Sequence, residues 1–138
     1  MHVFEVLEEA KNKKKKEEKV KYLKDNESWA LKDVLRGTYD STVQWLLPAG
    51  RPPFTPNLPQ SPATDLHKEN TQFAYFAKGG PGTSMPPHKR EKIFFALLEG
   101  IHPEDAEVVI NMISKKKIKG VTRGVVEEAF PGLLLDST

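Results

Sequence analysis

The residues best placed to do chemistry lie in one short stretch near the C-terminus. Lys115, Lys116, Lys117, Lys119 and Arg123 supply five basic side chains between positions 115 and 123, with no acidic residue among them. Gly120, Val121 and Thr122 sit inside the same run. Ammonium and guanidinium groups at this density attract phosphates and release the counterions condensed on nucleic acid. Gly120 frees the backbone for a close approach, and Thr122 can cap a following helix whose first amides would point outward at an anion. One chemistry this allows is the holding of a phosphate backbone by Lys115, Lys116, Lys117, Lys119, Gly120, Thr122 and Arg123. Contacts of that kind fix register and carry no base sequence information. The plain alternative is a solvated helix end, where cations complement the carbonyl dipoles. A second cluster, Lys13, Lys14, Lys15 and Lys16, is a lesser candidate. Four consecutive lysines circle a helix, so only some of them can face one duplex.

Other chemistries find no constellation. The histidines at 2, 67, 88 and 102 lack metal-ligand spacing, and the chain has no cysteine. Disulfides and thiolate metal sites are thereby excluded, in keeping with a reducing compartment. Carboxylates are spread over helix faces, and no serine stands in a nucleophile motif. Gly79-Gly80-Pro81-Gly82-Thr83-Ser84 is glycine-rich but lacks the Gly-Lys-Ser/Thr ending of a phosphate loop. The expectation is a protein that is not an enzyme and needs no cofactor or metal. Trp29, Trp45, Phe73, Tyr75 and Phe76 could stack bases, but at helical spacing they read as core. Trp45 and Phe54, beside a proline-rich loop, are the candidates for an exposed partner surface.

The elements that must position the basic run are helices. Val3, Phe4, Leu7 and Ala10 define an amphipathic helix over 2–11, and Val20 and Leu23 anchor a second over 13–24. A third spans 27–36, with Asn26 as cap, Trp29, Leu31, Val34 and Leu35 as anchors, and Gly37 as its stop. A fourth is expected at 40–46. Six prolines between Pro48 and Pro62 make residues 48–62 an irregular loop. Residues 71–77 fit a short helix or a short strand equally well. Residues 79–87 form a Gly/Pro loop, after which Pro86 and Pro87 open a helix running to about Glu99. Pro103, Glu104 and Asp105 begin the next, buried through Val109, Ile110, Met112 and Ile113, with Lys115, Lys116 and Lys117 in its last turn. A final helix follows Thr122. The fold class is all-α: a single compact domain over residues 1–138, of six to seven helices.

Bulk properties agree. A chain of 138 residues suits one domain. The net charge of +2 does not itself argue for nucleic acid, but the distribution does: ten of 21 basic residues precede residue 37. No apolar run approaches a membrane span, and the start lacks a signal-peptide pattern. A cytoplasmic protein without membrane partners is expected.

The basic run closes on Phe130-Pro131-Gly132-Leu133. The start carries Val3-Phe4-Glu5-Val6-Leu7-Glu8-Glu9-Ala10, then Lys24-Asp25-Asn26-Glu27, Leu31-Lys32-Asp33-Val34-Leu35 and Thr38-Tyr39. In order and rough spacing, the chain resembles the N-terminal DNA-binding domain of ATP-dependent DNA ligases, the T-even bacteriophage type most of all. Residues 46–86 fit that pattern poorly, and no lysine is followed by x-Asp-Gly, the adenylation motif. The resemblance implies the helical domain without the nucleotidyltransferase core, with Gly120, Val121 and Thr122 placing backbone amides and a hydroxyl on a phosphate. It implies a phage protein in the host cytoplasm that grips double-stranded DNA by its backbone, as an accessory to replication or repair with a protein partner in that machinery. Two alternatives remain open: a protein-interaction adaptor that keeps the fold and docks through the proline loop, and the DNA-binding subunit of a split ligase. Intact against nicked preference and oligomeric state are not determined by the sequence.

Overall fold

A computed structural model describes residues 2–48, 52–57 and 64–136. Among these residues seven α-helices and two 3₁₀ turns account for the regular structure, and no strand forms beyond two isolated bridges. None of the helices is long and apolar enough to cross a membrane.

Helix α1 spans Val3–Asn12 and buries Val3, Val6, Leu7 and Ala10, the i, i+3, i+4, i+7 face of one helix. The His2 amide donates to Glu5 Oε1 at 2.8 Å, closing its first turn. Helix α2, Lys16–Asp25, buries Leu23 and half-buries Val20 and Tyr22. It begins three residues later than its lysine run suggests, so Lys13, Lys14 and Lys15 lie in the connection and do not circle a helix. Asn26 closes α2 by donating from Nδ2 to the Tyr22 carbonyl at 2.9 Å.

Helix α3, Trp29–Tyr39, is capped by Ser28, whose Oγ accepts from the Leu31 amide at 3.1 Å. Asn26 is therefore not its cap. Gly37 does not stop it either. The helix runs through Gly37 because the absent side chain makes room: a Cβ there would stand 2.6 Å from the Trp45 ring and 2.7 Å from Met112 Sδ. Trp29, expected as an anchor, is 76% exposed.

The helix expected at 40–46 is absent. Asp40 diverts the chain by accepting from the Thr42 amide at 2.9 Å and the Thr42 hydroxyl at 2.7 Å, an Asx turn that competes with helix. The following residues run extended and pair with 76–78, Leu46 N to Phe76 O at 2.7 Å and Lys78 N to Gln44 O at 2.8 Å. Trp45 is half-buried, donating from Nε1 to the Gly37 carbonyl at 3.0 Å and meeting the Phe73 ring edge-on. What remains exposed of it lines an open surface cleft. Of the proline loop, residues 52–57 are irregular as expected, while 49–51 and 58–62 lie outside the described residues. The described part is docked on the structure: Phe54 packs against the core, and Glu99 receives hydrogen bonds from Thr55 N and Asn57 Nδ2.

Helix α4 is a single turn, Leu66–Glu69, capped by Asp65. It continues into a 3₁₀ turn at Asn70–Tyr75, so the ambiguous 71–77 segment is helical as far as Tyr75, while Ala77 forms an isolated antiparallel bridge with Trp45. A second 3₁₀ turn, Pro81–Ser84, leads to α5 at Pro87–Gly100, with proline at its first position. Arg90 of α5 is buried and donates to the carbonyls of Gly82 and Met85, fastening the Gly/Pro loop. Helix α6, Pro103–Ile113, is central: α1, α3 and α5 all pack on it. Its Asp105 carboxylate is buried, accepts from the Phe4 amide at 3.0 Å and faces His2 Nδ1 at 3.3 Å, tying α1 to α6. Burial pushes this carboxyl above the usual carboxylate range. Helix α7, Arg123–Ala129, packs on α2. Each fully buried Leu, Val or Ile in this core stabilises the fold by roughly 1.5–3 kcal/mol.

Gly37 tests the packing of α3 on α6. Gly37→Val should destabilise the protein by about 1–3 kcal/mol through overpacking against Trp45 and Met112, measured by urea denaturation. An unchanged midpoint would mean that the indole can move aside.

Candidate nucleic-acid interface

The basic stretch is a turn and not a helix end. Helix α6 stops at Ile113, so Lys115, Lys116 and Lys117 come after it and do not fill its last turn. Ser114 is the cap, and Lys115 adopts a left-handed φ of 56°. The Lys116 amide donates back to Asn111 O and the Lys115 amide to Met112 O, the paired bonds of a Schellman ending. Gly is the usual residue at that left-handed position, so Lys115 is held there by something else. Its ammonium reaches inward to the Asp40 carbonyl at 2.7 Å. Partial burial lowers its pKa.

Tyr39, the last residue of α3, organises the segment from Ile118 to Val121. Its hydroxyl accepts from the Ile118 amide at 2.9 Å and donates to the Val121 carbonyl at 2.6 Å, spanning the turn from one side to the other. Val121 itself is fully buried. Arg123 closes the arrangement: Nη1 donates to the Tyr39 carbonyl at 2.7 Å, Nη2 to Asp136 Oδ1 at 2.5 Å, and Nε to Glu127 Oε1 at 2.9 Å. Thr122 caps α7 as expected, with Oγ1 accepting from the Val125 amide at 3.4 Å.

Gly120 has a φ of 80°, which favours glycine. Its α-carbon faces the protein, however: a Cβ would lie 2.8 Å from the Lys11 α-carbon. The glycine is required by its packing on α1, so a bulky substitution there would disturb the fold whatever the turn binds. Lys19 completes this junction. Its ammonium donates to the carbonyls of Ala10, Lys11 and Gly120 at 3.2, 3.2 and 2.8 Å, using all three of its donors.

That junction brings the two lysine clusters to one edge of the molecule. The α1–α2 connection, with Lys13 to Lys16, abuts the 118–124 turn through Lys11 against Gly120, Lys19 on the Gly120 carbonyl, and Lys16 beside Gly124. The side chains then divide. Lys13 lies near Glu9 at 3.8 Å and over the Tyr22 ring, and Lys16 lies 3.3 Å from Glu128. Lys14, Lys15, Lys116, Lys117 and Lys119 are exposed and have no partner among the described residues. Thr122 is exposed beside them. Of the eight residues read from the sequence as one site, Lys116, Lys117, Lys119 and Thr122 face solvent, while Lys115, Gly120, Val121 and Arg123 are committed to the scaffold. Sequence reasoning missed Tyr39, Asp40, Lys19 and Asp136, the residues that shape the turn; only their fold-level proximity reveals them. Among the described residues no group of three or more His, Asp or Glu side chains could hold a metal ion.

Two expectations test the scaffold. Tyr39→Phe should leave the Ile118 amide and the Val121 carbonyl without their partner and cost about 1–3 kcal/mol. Amide exchange at Ile118 should accelerate, and unchanged protection would place the turn's support elsewhere. The second concerns acid. The bond from Arg123 holds the Asp136 carboxyl well below its ordinary range. At Asp40, burial opposes ionisation, but bonds from the Leu135 amide and Thr42 outweigh it and the net shift is downward. Lowered folded-state values mean stabilisation that is complete above the ordinary pKa near 3.8 and lost as pH falls below it. An NMR titration should therefore show the Ser41 and Leu135 amides, which donate to these carboxylates, shifting only at lower pH. Shifts centred between about pH 5 and 7 would contradict it.

No curated protein matches the chain. Residues 6–119, from the buried face of α1 to the edge of the basic turn, match a family model described as "Family of unknown function (DUF6433)". That span is most of the chain, and the protein belongs to this family.

Proposed function

We propose that the protein is a DNA-binding protein without chemistry of its own, gripping the duplex phosphate backbone with little sequence preference as an accessory to replication or repair. The observation that carries this reading is the convergence of the two lysine clusters on one edge, where Lys14, Lys15, Lys116, Lys117 and Lys119 stay unpaired among the described residues and exposed. Ammonium groups turned to solvent from two chain segments form a surface suited to a polyanion. Thr122 adds a hydroxyl that can donate to a phosphate oxygen. The resemblance to the DNA-binding domain of T-even-type ATP-dependent DNA ligases points the same way and suggests a phage protein working in the host cytoplasm. In the described part of the proline loop Phe54 is half-buried while Pro53, Thr55 and Pro56 are exposed, which leaves the adaptor alternative a surface to use.

A salt titration of duplex binding tests it. The five exposed lysines would neutralise about five phosphates between them, a log-log slope of about −4.5. Replacing Lys116 and Lys117 by Ala, or Lys14 and Lys15 by Ala, should each flatten the slope by about 0.9 for every phosphate no longer held, with melting temperatures unchanged. Equal slopes in wild type and both variants would remove the reading.

A further inference from the structure

An open cleft of about 570 Å³ adjoins the basic turn at Lys115. That volume lies in the roughly 300–1,000 Å³ range of small-ligand sites. Its apolar wall comes from Trp45, Leu47 and Ile113, and its polar lining includes Ser41, Gln44 and Lys115. Two features distinguish it from an ordinary surface fold. First, Lys115 occupies a left-handed backbone position where glycine is the usual residue. Second, its ammonium is drawn back to the Asp40 carbonyl at 2.7 Å, at the cleft, and away from the exposed lysines that come after it. One bond uses one of its three donors, and the Asp40 and Asp136 carboxylates balance part of its charge through space. Trp45 is fixed by its bond to the Gly37 carbonyl and its edge contact with Phe73.

We infer that this cleft receives a single unpaired nucleotide of a DNA strand, its base against the Trp45 wall and its phosphate on Lys115. This rests on the backbone-binding reading above and deepens it. A planar apolar wall, amide and hydroxyl groups able to meet a base edge, and a cation at the rim are the complementary parts of a nucleotide. The strand, and not a free nucleotide, is the source, because the chain continues directly into Lys116 and Lys117, which are exposed where flanking phosphates would run. The protein would then favour duplexes carrying a displaced or unpaired residue over fully paired ones.

The chain has two tryptophans, so full-length protein carrying Trp29→Phe reports on Trp45 alone. Its fluorescence and affinity are measured with a fully paired duplex, the same duplex with one unpaired thymidine, and free dTMP. The unpaired duplex should bind about tenfold tighter, as expected for one base stacked on an aromatic ring, and should quench Trp45. Lys115→Gly, which suits the left-handed position and whose folding is checked by melting, should bring that ratio close to one. Equal affinity for both duplexes with Trp45 unquenched overturns the inference and leaves the backbone reading standing. Tighter binding of the unpaired duplex without quenching also overturns it, by moving the nucleotide elsewhere. Quenching by dTMP equal to that by the unpaired duplex assigns the cleft to a free nucleotide and overturns the strand-bound form. Loss of binding to both duplexes at low salt, in folded protein, overturns the backbone reading and this inference with it.

Discussion

The C-terminal end of α3 carries the architecture of the basic edge. Within two residues it offers the Tyr39 hydroxyl to Ile118 and Val121, the Tyr39 carbonyl to Arg123, the Asp40 carbonyl to Lys115 and the Asp40 carboxylate to Thr42 and Leu135. Helix C-termini leave carbonyls without intrahelical partners. Here those carbonyls are satisfied by two cations from the segment that must be shaped. The burial of Leu31, Val34 and Leu35 against the core sets the position of α3, and through α3 it sets the turn. Packing energy far from the surface is thus converted into backbone geometry at the surface.

The lysines separate into two populations by what their burial would cost. Removing an ammonium from water is expensive unless its donors are met. Lys19 is half-buried and meets all three on carbonyls, and Lys115 meets one and shows the depressed basicity that goes with partial desolvation. Lys14, Lys15, Lys116, Lys117 and Lys119 keep their water. Their contribution to folding is small by the same argument that makes them available to a polyanion. Exposed pairs such as Lys16 with Glu128 contribute little to stability, but they trim the local positive charge and so confine it to the unpaired positions.

Helical periodicity was legible in the chain wherever one face alone is buried: α1, α5 and α6 follow from their apolar spacing and proline starts. Thr122 was legible as a cap because the requirement is local. The misreadings share a cause. Gly37 reads as a stop because propensity is local, yet the helix continues to admit Trp45 and Met112 from distant segments. Trp45 reads as exposed because it stands beside the proline-rich loop, yet a hydrogen bond and Phe73 half-bury it. Residues 40–46 carry apolar groups enough for a helix, but the Asp40 side chain captures the backbone first. For the basic stretch, composition marked out where the positive charge lies. It could not say that Lys115 turns inward, that Gly120 rests on Lys11, or that the first lysine run lies alongside, because each depends on contacts across about 75–110 residues of sequence.

The inward turn of Lys115 and the packing of Gly120 divide a nine-residue stretch into positions of unequal freedom. Shape in this stretch resides in Lys115, Gly120, Val121 and Arg123, and charge resides in Lys116, Lys117 and Lys119. The two properties can therefore change separately over evolutionary time. A relative could gain or lose lysines at the exposed positions, and so raise or lower the positive charge of this edge, without repacking a single buried residue. Drift at the shape-bearing positions has no such freedom, because each is committed to α1 or α3.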